Sequence, residues 1–274
     1  MITVIDTSFF EGRDWAIEQF CNNPEKQYIY ATPFVKEILK ISDCTEYYRD
    51  FCLLHEFDSQ YQFSGHQFAD GKIHTLNQCI KKGEDVALTY STFAKANYET
   101  MKLLKKYKPV LVLDDTTNFM VDYNEVQRTP YDKKIHPDDI RLLLDGGFIN
   151  IDDLGRIHWI SHNSCQGSVY SEIERFARGG NLLFIDNRLL IWEFPTQVLQ
   201  CFDEIYILTH FFETTYLKEI IDELCLYYEK KSVKKNEDGN RYELCDFIPD
   251  QFLMQHNQVM YSRLLTQSYT QLTD

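Results

Sequence analysis

The chain has 274 residues, of which 44% are hydrophobic and 15% aromatic, and it carries a net charge of −14 with a pI of about 5.0. This composition is typical of a folded globular protein and excludes a disordered one. The negative charge argues against a broad nucleic-acid-binding surface, because such binding neutralises phosphates, although a local basic groove remains compatible with it. No apolar run reaches about 18 residues, so we predict no membrane span.

The cysteines and histidines give no metal or redox motif. Eight cysteines are scattered without a CxxC pair, which gives no support to a zinc ribbon or a thioredoxin-like site. His158 and His162 lie across a predicted strand and turn, and His55 and His66 lack ligand spacing near Cys52, so we predict no structural metal. Scattered cysteines without a secretory signal fit reduced thiols, and we predict a cytoplasmic protein.

The first element has the context of a phosphate-binding loop. An apolar run over Met1–Asp6 predicts a buried strand, and Trp15–Phe20 predicts a helix. In the pattern G-x-x-x-x-G-K-[ST], which follows a strand and opens a helix, Gly12 fits the second glycine. Arg13 replaces the lysine and Asp14 replaces the Ser/Thr that binds Mg²⁺, so the sequence predicts an altered nucleotide loop.

Several of the changes in this loop act against a bound polyphosphate. Thr7 replaces the first glycine, and Phe10 is bulky where the backbone has to approach a phosphate closely. Glu11 and Asp14 add two negative charges beside the phosphates. Two interpretations of Arg13 remain: it contacts a phosphate, since guanidinium groups bind phosphate well, or it is a surface arginine paired with Glu11 or Asp14.

Further along the chain, apolar runs alternate with helical segments. Nearly all positions in these runs are apolar, which predicts strands covered on both faces, and the alternation predicts a parallel sheet with right-handed crossovers. The predicted strands are Gln27–Ala31, Asp85–Tyr90, Pro109–Asp115 and Glu204–Thr209. The predicted helices between them include Phe34–Leu39 and Lys72–Lys82, the second of which ends at Gly83.

The segment between the last two of these strands has a different texture. We interpret residues 116–194 as an insertion that contains a helix from Pro137 to Gly146, a hairpin around Asp152–Gly155 and a second hairpin that turns near Asp186–Asn187. Beyond it, Tyr216–Tyr227 predicts a helix, 230–240 a charged loop or hairpin tip, and the polar last 25 residues a terminal helix.

Taken in chain order, these segments resemble the first motor lobe of phage-type superfamily 2 helicases, which are P-loop ATPases with a RecA-like core. The resemblance covers roughly Ile2 to Leu224, and the order of its short motifs is more specific than any one of them. Ile2–Trp15 resembles the nucleotide loop, and Val110–Asp115 resembles Walker B. Two segments resemble motifs on the DNA side: Tyr30–Phe34, with Thr32 and Pro33 in contact with the DNA backbone, and Leu88–Thr92, with Ser91 and Thr92. Ile191–Pro195 followed by Phe202–Thr209 resembles the last strand and the coupling motif near Thr209.

The resemblance implies a three-layer, RecA-like α/β lobe over residues 1–224, with a mostly parallel sheet and the insertion. Residues 225–274 would form an extension, without a complete second lobe. Asp114 would hold Mg²⁺ through water and Asp115 would orient the attacking water, although it is one methylene shorter than the usual glutamate. Gly12, Arg13 and Asp14 would then be the nucleotide-binding positions.

Three functional hypotheses follow. In the first, the chain is a degenerate motor lobe that no longer hydrolyses ATP. It acts in DNA metabolism or its regulation by binding a protein or a nucleic acid, in the host cytoplasm if it is phage encoded. In the second, it is an active helicase-type ATPase that uses ATP and Mg²⁺ and needs a second lobe in trans, with Arg13 at the phosphates. In the third, it is a nucleic-acid-binding module without nucleotide use, in which DNA lies near Thr32, Ser91 and Thr92.

Overall fold

The computed structural model describes residues 1–7, 9–54, 71–114, 120–126, 134–165, 168, 170–239 and 241–247. The strands are β1 (Ile2–Asp6), β2 (Tyr28–Thr32), β3 (Phe51–Leu54), β4 (Asp85–Thr89), β5 (Val110–Asp114), β6 (Met120–Asp122), β7 (Ile149–Ile151), β8 (Ile157–Trp159), β9 (Leu182–Ile185), β10 (Leu189–Glu193), β11 (Ile205–Thr209), β12 (Tyr228–Lys235) and β13 (Tyr242–Asp246). The α-helices are α1 (Phe9–Asn22), α2 (Val35–Thr45), α3 (Lys72–Lys82), α4 (Tyr90–Phe93), α5 (Tyr98–Tyr107), α6 (Tyr123–Val126), α7 (Pro137–Asp145), α8 (Ser171–Arg178) and α9 (Tyr216–Glu223).

One large sheet organises the fold, with the strand order β13-β12-β1-β11-β5-β2-β4-β3. Each pairing within it is parallel except that of β12 with β13. The predicted α/β architecture with a mostly parallel central sheet is therefore confirmed. β12 and β13 come from the segment predicted as an extension, yet they lie in the same sheet, where β12 pairs with β1.

Helices cover both faces of the sheet, because the side chains of its strands alternate between two buried clusters. On one face, α1 and α2 pack Trp15, Phe20 and Ile38 against strand residues that include Tyr30 and Val112. On the opposite face, α3, α5 and α9 pack against the alternate strand positions together with the insertion. These two helical layers and the sheet give a three-layer arrangement.

Local signals fix several helix ends. Gly83 ends α3 in the left-handed region at φ 75°, where glycine has no steric penalty. The Asn97 side chain accepts from the Thr100 N–H at the start of α5, and Pro137 begins α7, where its missing N–H has no helical partner to lose. The predicted bounds of α3 and the predicted start of α7 are confirmed.

The insertion forms a small unit of its own against the α3, α5 and α9 face. Its strands make a three-stranded sheet in the order β6-β10-β9 and the β7–β8 hairpin. Both predicted hairpins are confirmed; Asp186 and Asn187 turn the second at φ 52° and 55°, which is the backbone of a two-residue hairpin turn.

Other predictions need correction or lie outside the described residues. The strand β3 had no prediction. In the segment 230–240, predicted as a loop or hairpin tip, residues 230–235 form most of β12, and residues 236–239 lie at the tip of the hairpin that β12 makes with β13. The predicted terminal helix falls on residues 248–274, outside the described part. A search of the described residues finds no helix that is long and apolar enough to cross a membrane.

Candidate functional site

The carboxyl ends of the parallel strands meet at one edge of the sheet and bring the predicted positions together. Asp6, Thr209, Asp114 and Thr32 end the strands β1, β11, β5 and β2, which are consecutive neighbours in the sheet. The helices that follow β1 and β11 lie on opposite faces. Adjacent strands of this kind form a topological switch point, and open α/β sheets bind ligands in the crevice beyond it.

Arg13 is held at this edge by carboxylates from two other elements. Its Nε donates to Asp114 Oδ2 at 2.6 Å, and its Nη1 lies 3.1 Å from Oε2 of Glu37 in the first turn of α2. The Tyr30 hydroxyl donates to the same Asp114 oxygen. We call Arg13, Tyr30, Glu37 and Asp114 the edge cluster; it connects α1, α2, β2 and β5.

Burial and the charge of Asp114 shift the pKa values in the edge cluster, in opposite directions at Arg13 and in the same direction at Tyr30. Asp114 is fully buried and Arg13 is 8% exposed. Burial lowers the pKa of Arg13, but the Asp114 carboxylate and its hydrogen bond outweigh this effect and raise the pKa above its ordinary value. Burial, followed by the charge of Asp114, raises the pKa of Tyr30 well above its ordinary value. Tyr30 therefore remains a proton donor and Arg13 remains charged.

This arrangement differs from the second interpretation of Arg13, a surface arginine paired with Glu11 or Asp14, whereas its contact with a phosphate stays a prediction. Its acidic partners are Asp114 and Glu37, rather than Glu11 or Asp14, and Arg13 is buried rather than on the surface. Sequence reasoning missed Tyr30 and Glu37 as members of the cluster. The tyrosine in an otherwise apolar strand was the available signal, because a buried phenol needs a hydrogen-bond partner.

The predicted nucleotide loop is largely helical. β1 ends at Asp6 and α1 begins at Phe9, six residues before the predicted start of the helix, so Gly12, Arg13 and Asp14 lie within α1. Their amides fall in the first turns of a helix rather than in an open loop that surrounds phosphates. The Asp14 carboxylate accepts from the Tyr242 hydroxyl at 3.1 Å, which ties α1 to β13.

The end of β1 is also engaged. Asp6 Oδ1 accepts from the Phe211 N–H at 2.8 Å, and Oδ2 accepts from the Phe212 N–H at 3.1 Å. Lys230 Nζ lies 3.2 Å from the same Oδ2. Phe211 has a φ of 61°, an uncommon backbone for a bulky residue, and the Asp6 carboxylate helps to hold it there. These contacts connect β1, β11 and β12 at the switch point.

Of the residues predicted to bind metal and to act in catalysis, the structure describes only the first. Asp114, predicted to hold Mg²⁺, has Arg13 and Tyr30 on one carboxylate oxygen. Asp115, predicted to orient the water, lies outside the described residues. Within the described part of the chain, no group of three or more His, Cys, Asp or Glu side chains could hold a metal ion.

The positions predicted to contact nucleic acid lie near the same edge but differ in access. Thr32 and Thr92 are fully buried, whereas Pro33 and Ser91 are partly exposed. Thr89 Oγ1 lies 2.9 Å from the Thr92 hydroxyl and accepts from the Thr92 N–H, so these hydroxyls cap α4.

Thr209, the predicted coupling residue, is buried at the end of β11. Its carbonyl accepts from the Thr7 N–H at 3.1 Å. The coupling position therefore contacts the segment between β1 and α1 directly, through backbone atoms.

The chain is similar to known proteins in two comparisons. Residues 131–192, which lie within the insertion, match the YonV middle domain family. The SPbeta prophage-derived uncharacterized protein YonV of Bacillus subtilis strain 168 is 24% identical over 267 residues, which is 94% of this chain and 57% of that protein. The chain thus spans just over half the length of this relative. No solved structure matches the chain.

Proposed function

We propose that the chain is a degenerate helicase-type motor lobe that acts by binding, within a phage complex for DNA metabolism or its regulation, rather than by hydrolysing ATP. One observation carries this proposal: the residue at the phosphate-lysine position, Arg13, is buried in an ion pair with the Walker-B-like Asp114. Two groups that a working site would use on nucleotide and metal satisfy each other instead.

The strand order supports a motor-lobe origin. β1, β11 and β5 are adjacent, so the nucleotide-loop, coupling and Walker-B positions lie along one edge although they are far apart in sequence. A phosphate-transfer site needs such a meeting of a helix N-terminus with a carboxylate. The similarity to a prophage-derived protein supports the phage setting.

The edge cluster also explains why hydrolysis is disfavoured. For Arg13 to reach a phosphate, it has to leave a fully buried Asp114, and breaking a buried pair costs about 3–5 kcal/mol. The first turn of α1 would also have to unwind to form a phosphate loop. A bound nucleotide would have to offset both terms before it gained any net affinity.

A protein partner fits the molecule better than DNA. The net charge of −14 repels phosphates, and two of the four predicted DNA contacts, Thr32 and Thr92, are fully buried. We therefore propose that this lobe binds another protein rather than DNA.

Calorimetry with ATP and ADP, with and without Mg²⁺, tests the proposal on the wild type and on Asp114→Asn, which keeps the size of the side chain. We expect no binding heat for either protein at millimolar nucleotide. Fluorescence anisotropy with single- and double-stranded DNA at low salt, where electrostatic binding is strongest, separates the DNA alternative. A Mg²⁺-dependent ATPase rate that Asp114→Asn abolishes would refute the proposal and favour the active ATPase.

A further inference from the structure

A pocket of about 430 Å³ lies between the insertion and the core. The insertion contributes Arg156, Arg178 and Glu193 to its wall, and the core contributes Glu223 from α9. This volume lies within the range of small-ligand sites in proteins. Arg156 and Arg178 fall in the segment that matches the YonV middle domain family.

The basic side chains of the pocket are already neutralised. Arg156 Nη1 lies 2.6 Å from Oε2 of Glu193, which is 5% exposed, and also donates to the Gly180 carbonyl. Arg178 Nε lies 3.0 Å from Oε1 of Glu174, a second buried carboxylate.

The third basic group follows the same pattern. His158 Nε2 lies 2.9 Å from Asp152 Oδ2. Each basic side chain that lines the pocket thus has its own carboxylate partner.

The remaining charge at the pocket is negative. α8 ends at Gly179 and α9 ends at Leu224, and both ends line the pocket. Each helix C-terminus carries roughly half a negative charge from its carbonyls. Glu223 lies in the last turn of α9 and is exposed, and no lysine, arginine or histidine of the described residues forms an ion pair with it.

Tyr216, which donates to Glu193 Oε1 at 3.1 Å, reports the same negative potential. Burial raises the pKa of its hydroxyl, and the charges of Glu193 and Glu223 raise it further. Arg156 opposes this effect without cancelling it. At the Tyr216 hydroxyl, the charges of Glu193 and Glu223 therefore outweigh that of Arg156.

We propose that this pocket binds an amine or guanidinium cation, with the Glu223 carboxylate as its acceptor and the C-terminal ends of α8 and α9 adding negative potential. This site is separate from the edge cluster and does not depend on the proposed function. The same chemistry comes from two sources: a lysine or arginine side chain of a partner protein, or a free polyamine.

Titration calorimetry at low ionic strength tests the site with two cationic probes, spermidine and the blocked peptide acetyl-Gly-Gly-Arg-Gly-Gly-amide. We expect at least one of them to bind, and Glu223→Gln to weaken that binding about tenfold, since a charge-assisted hydrogen bond is lost. Binding of the peptide alone identifies a partner's side chain as the source, and binding of spermidine alone identifies a polyamine.

Glu219→Gln is the matched control, because Glu219 is exposed on the same helix but does not line the pocket. Its affinity for the probe should equal that of the wild type. Equal weakening in both variants would overturn the proposal, because it would show diffuse attraction to an acidic surface. Binding of tripolyphosphate but of neither cation, or no binding of either cation at millimolar concentration, would overturn it as well.

Discussion

Two buried arginine–aspartate pairs lie at opposite edges of the sheet. Arg49 pairs with Asp85, the first residue of β4, at the amino edge, and Arg13 pairs with Asp114, the last residue of β5, at the carboxyl edge. The Asp85 carboxylate also accepts from the Tyr28 N–H at 2.7 Å. Both pairs connect a helical or loop segment to a strand.

Their remaining partners differ. Arg49 donates to the backbone carbonyls of Phe20, Asn23 and Lys26. These hydrogen bonds hold the end of α1 and the turn into β2. Arg13 pairs instead with two side chains, those of Asp114 and Glu37. The amino-edge pair therefore shapes the backbone, whereas the carboxyl-edge pair fills a position where α/β sheets bind ligands.

The largest expected effect is the loss of stability when the arginine of either pair is truncated. Arg49→Ala and Arg13→Ala should each lower the free energy of unfolding by about 3–5 kcal/mol, because each leaves a buried aspartate without its cation. Urea denaturation measures both. A loss below about 1 kcal/mol in either variant would show that its pair is solvated and weak.

Replacing each ion pair with apolar side chains should affect the free energy of unfolding differently at the two edges. We expect the triple variant Arg13→Met, Tyr30→Phe, Asp114→Leu to lie within about 2 kcal/mol of the wild type, since apolar groups can replace a buried pair. The variant Arg49→Met, Asp85→Leu should remain strongly destabilised, because backbone groups lose their partners at about 1–3 kcal/mol each. Equal losses of stability in the triple and the double variant, measured by denaturant titration, would show that the two pairs do not differ in this respect.

Tyr30→Phe tests the donor within the edge cluster. Removing the hydroxyl takes one hydrogen bond from a fully buried carboxylate and should destabilise the fold by about 1–3 kcal/mol. Tyr28→Phe is the matched control, since Tyr28 is buried in the same strand and the same cluster of side chains. A larger loss in the control than in Tyr30→Phe would contradict the role of Tyr30.

The smallest effect concerns pH at the amino edge. Burial raises the pKa of Asp85 above its ordinary value of 3.8, and the Tyr28 N–H and Arg49 only partly offset this rise. The folded state therefore binds the proton more tightly, so the contribution of Asp85 is fully present below pH 3.8 and declines as the pH rises through the folded pKa.

Comparison with Asp85→Asn measures this decline. In denaturant titrations at stepped pH, the stability difference between the wild type and the variant should shrink as the pH rises from about 3.8. A difference that grows with pH would mean that the attraction of Arg49 outweighs burial.

The sequence predicted what depends on local pattern. Apolar runs and cap residues located most strands of the core, α3 and both hairpins of the insertion. β12 escaped prediction because its lysines resemble a solvated loop; their long stems can cover a sheet while their charges pair, as Lys230 does with Asp6. The pairing of Arg13 with Asp114 joins residues 101 apart, and no local pattern encodes it.

The position of β1 has a consequence for how the protein is made. In the sheet β1 lies between β11 and β12, and Thr3 hydrogen-bonds with Glu229, 226 residues away. At a synthesis rate of about 5–20 residues per second, the first strand waits roughly 10–40 s on the ribosome before either neighbour exists. During that interval its apolar residues and both edges have no native partner strand, so the nascent chain depends on late, non-local closure, which makes folding slow.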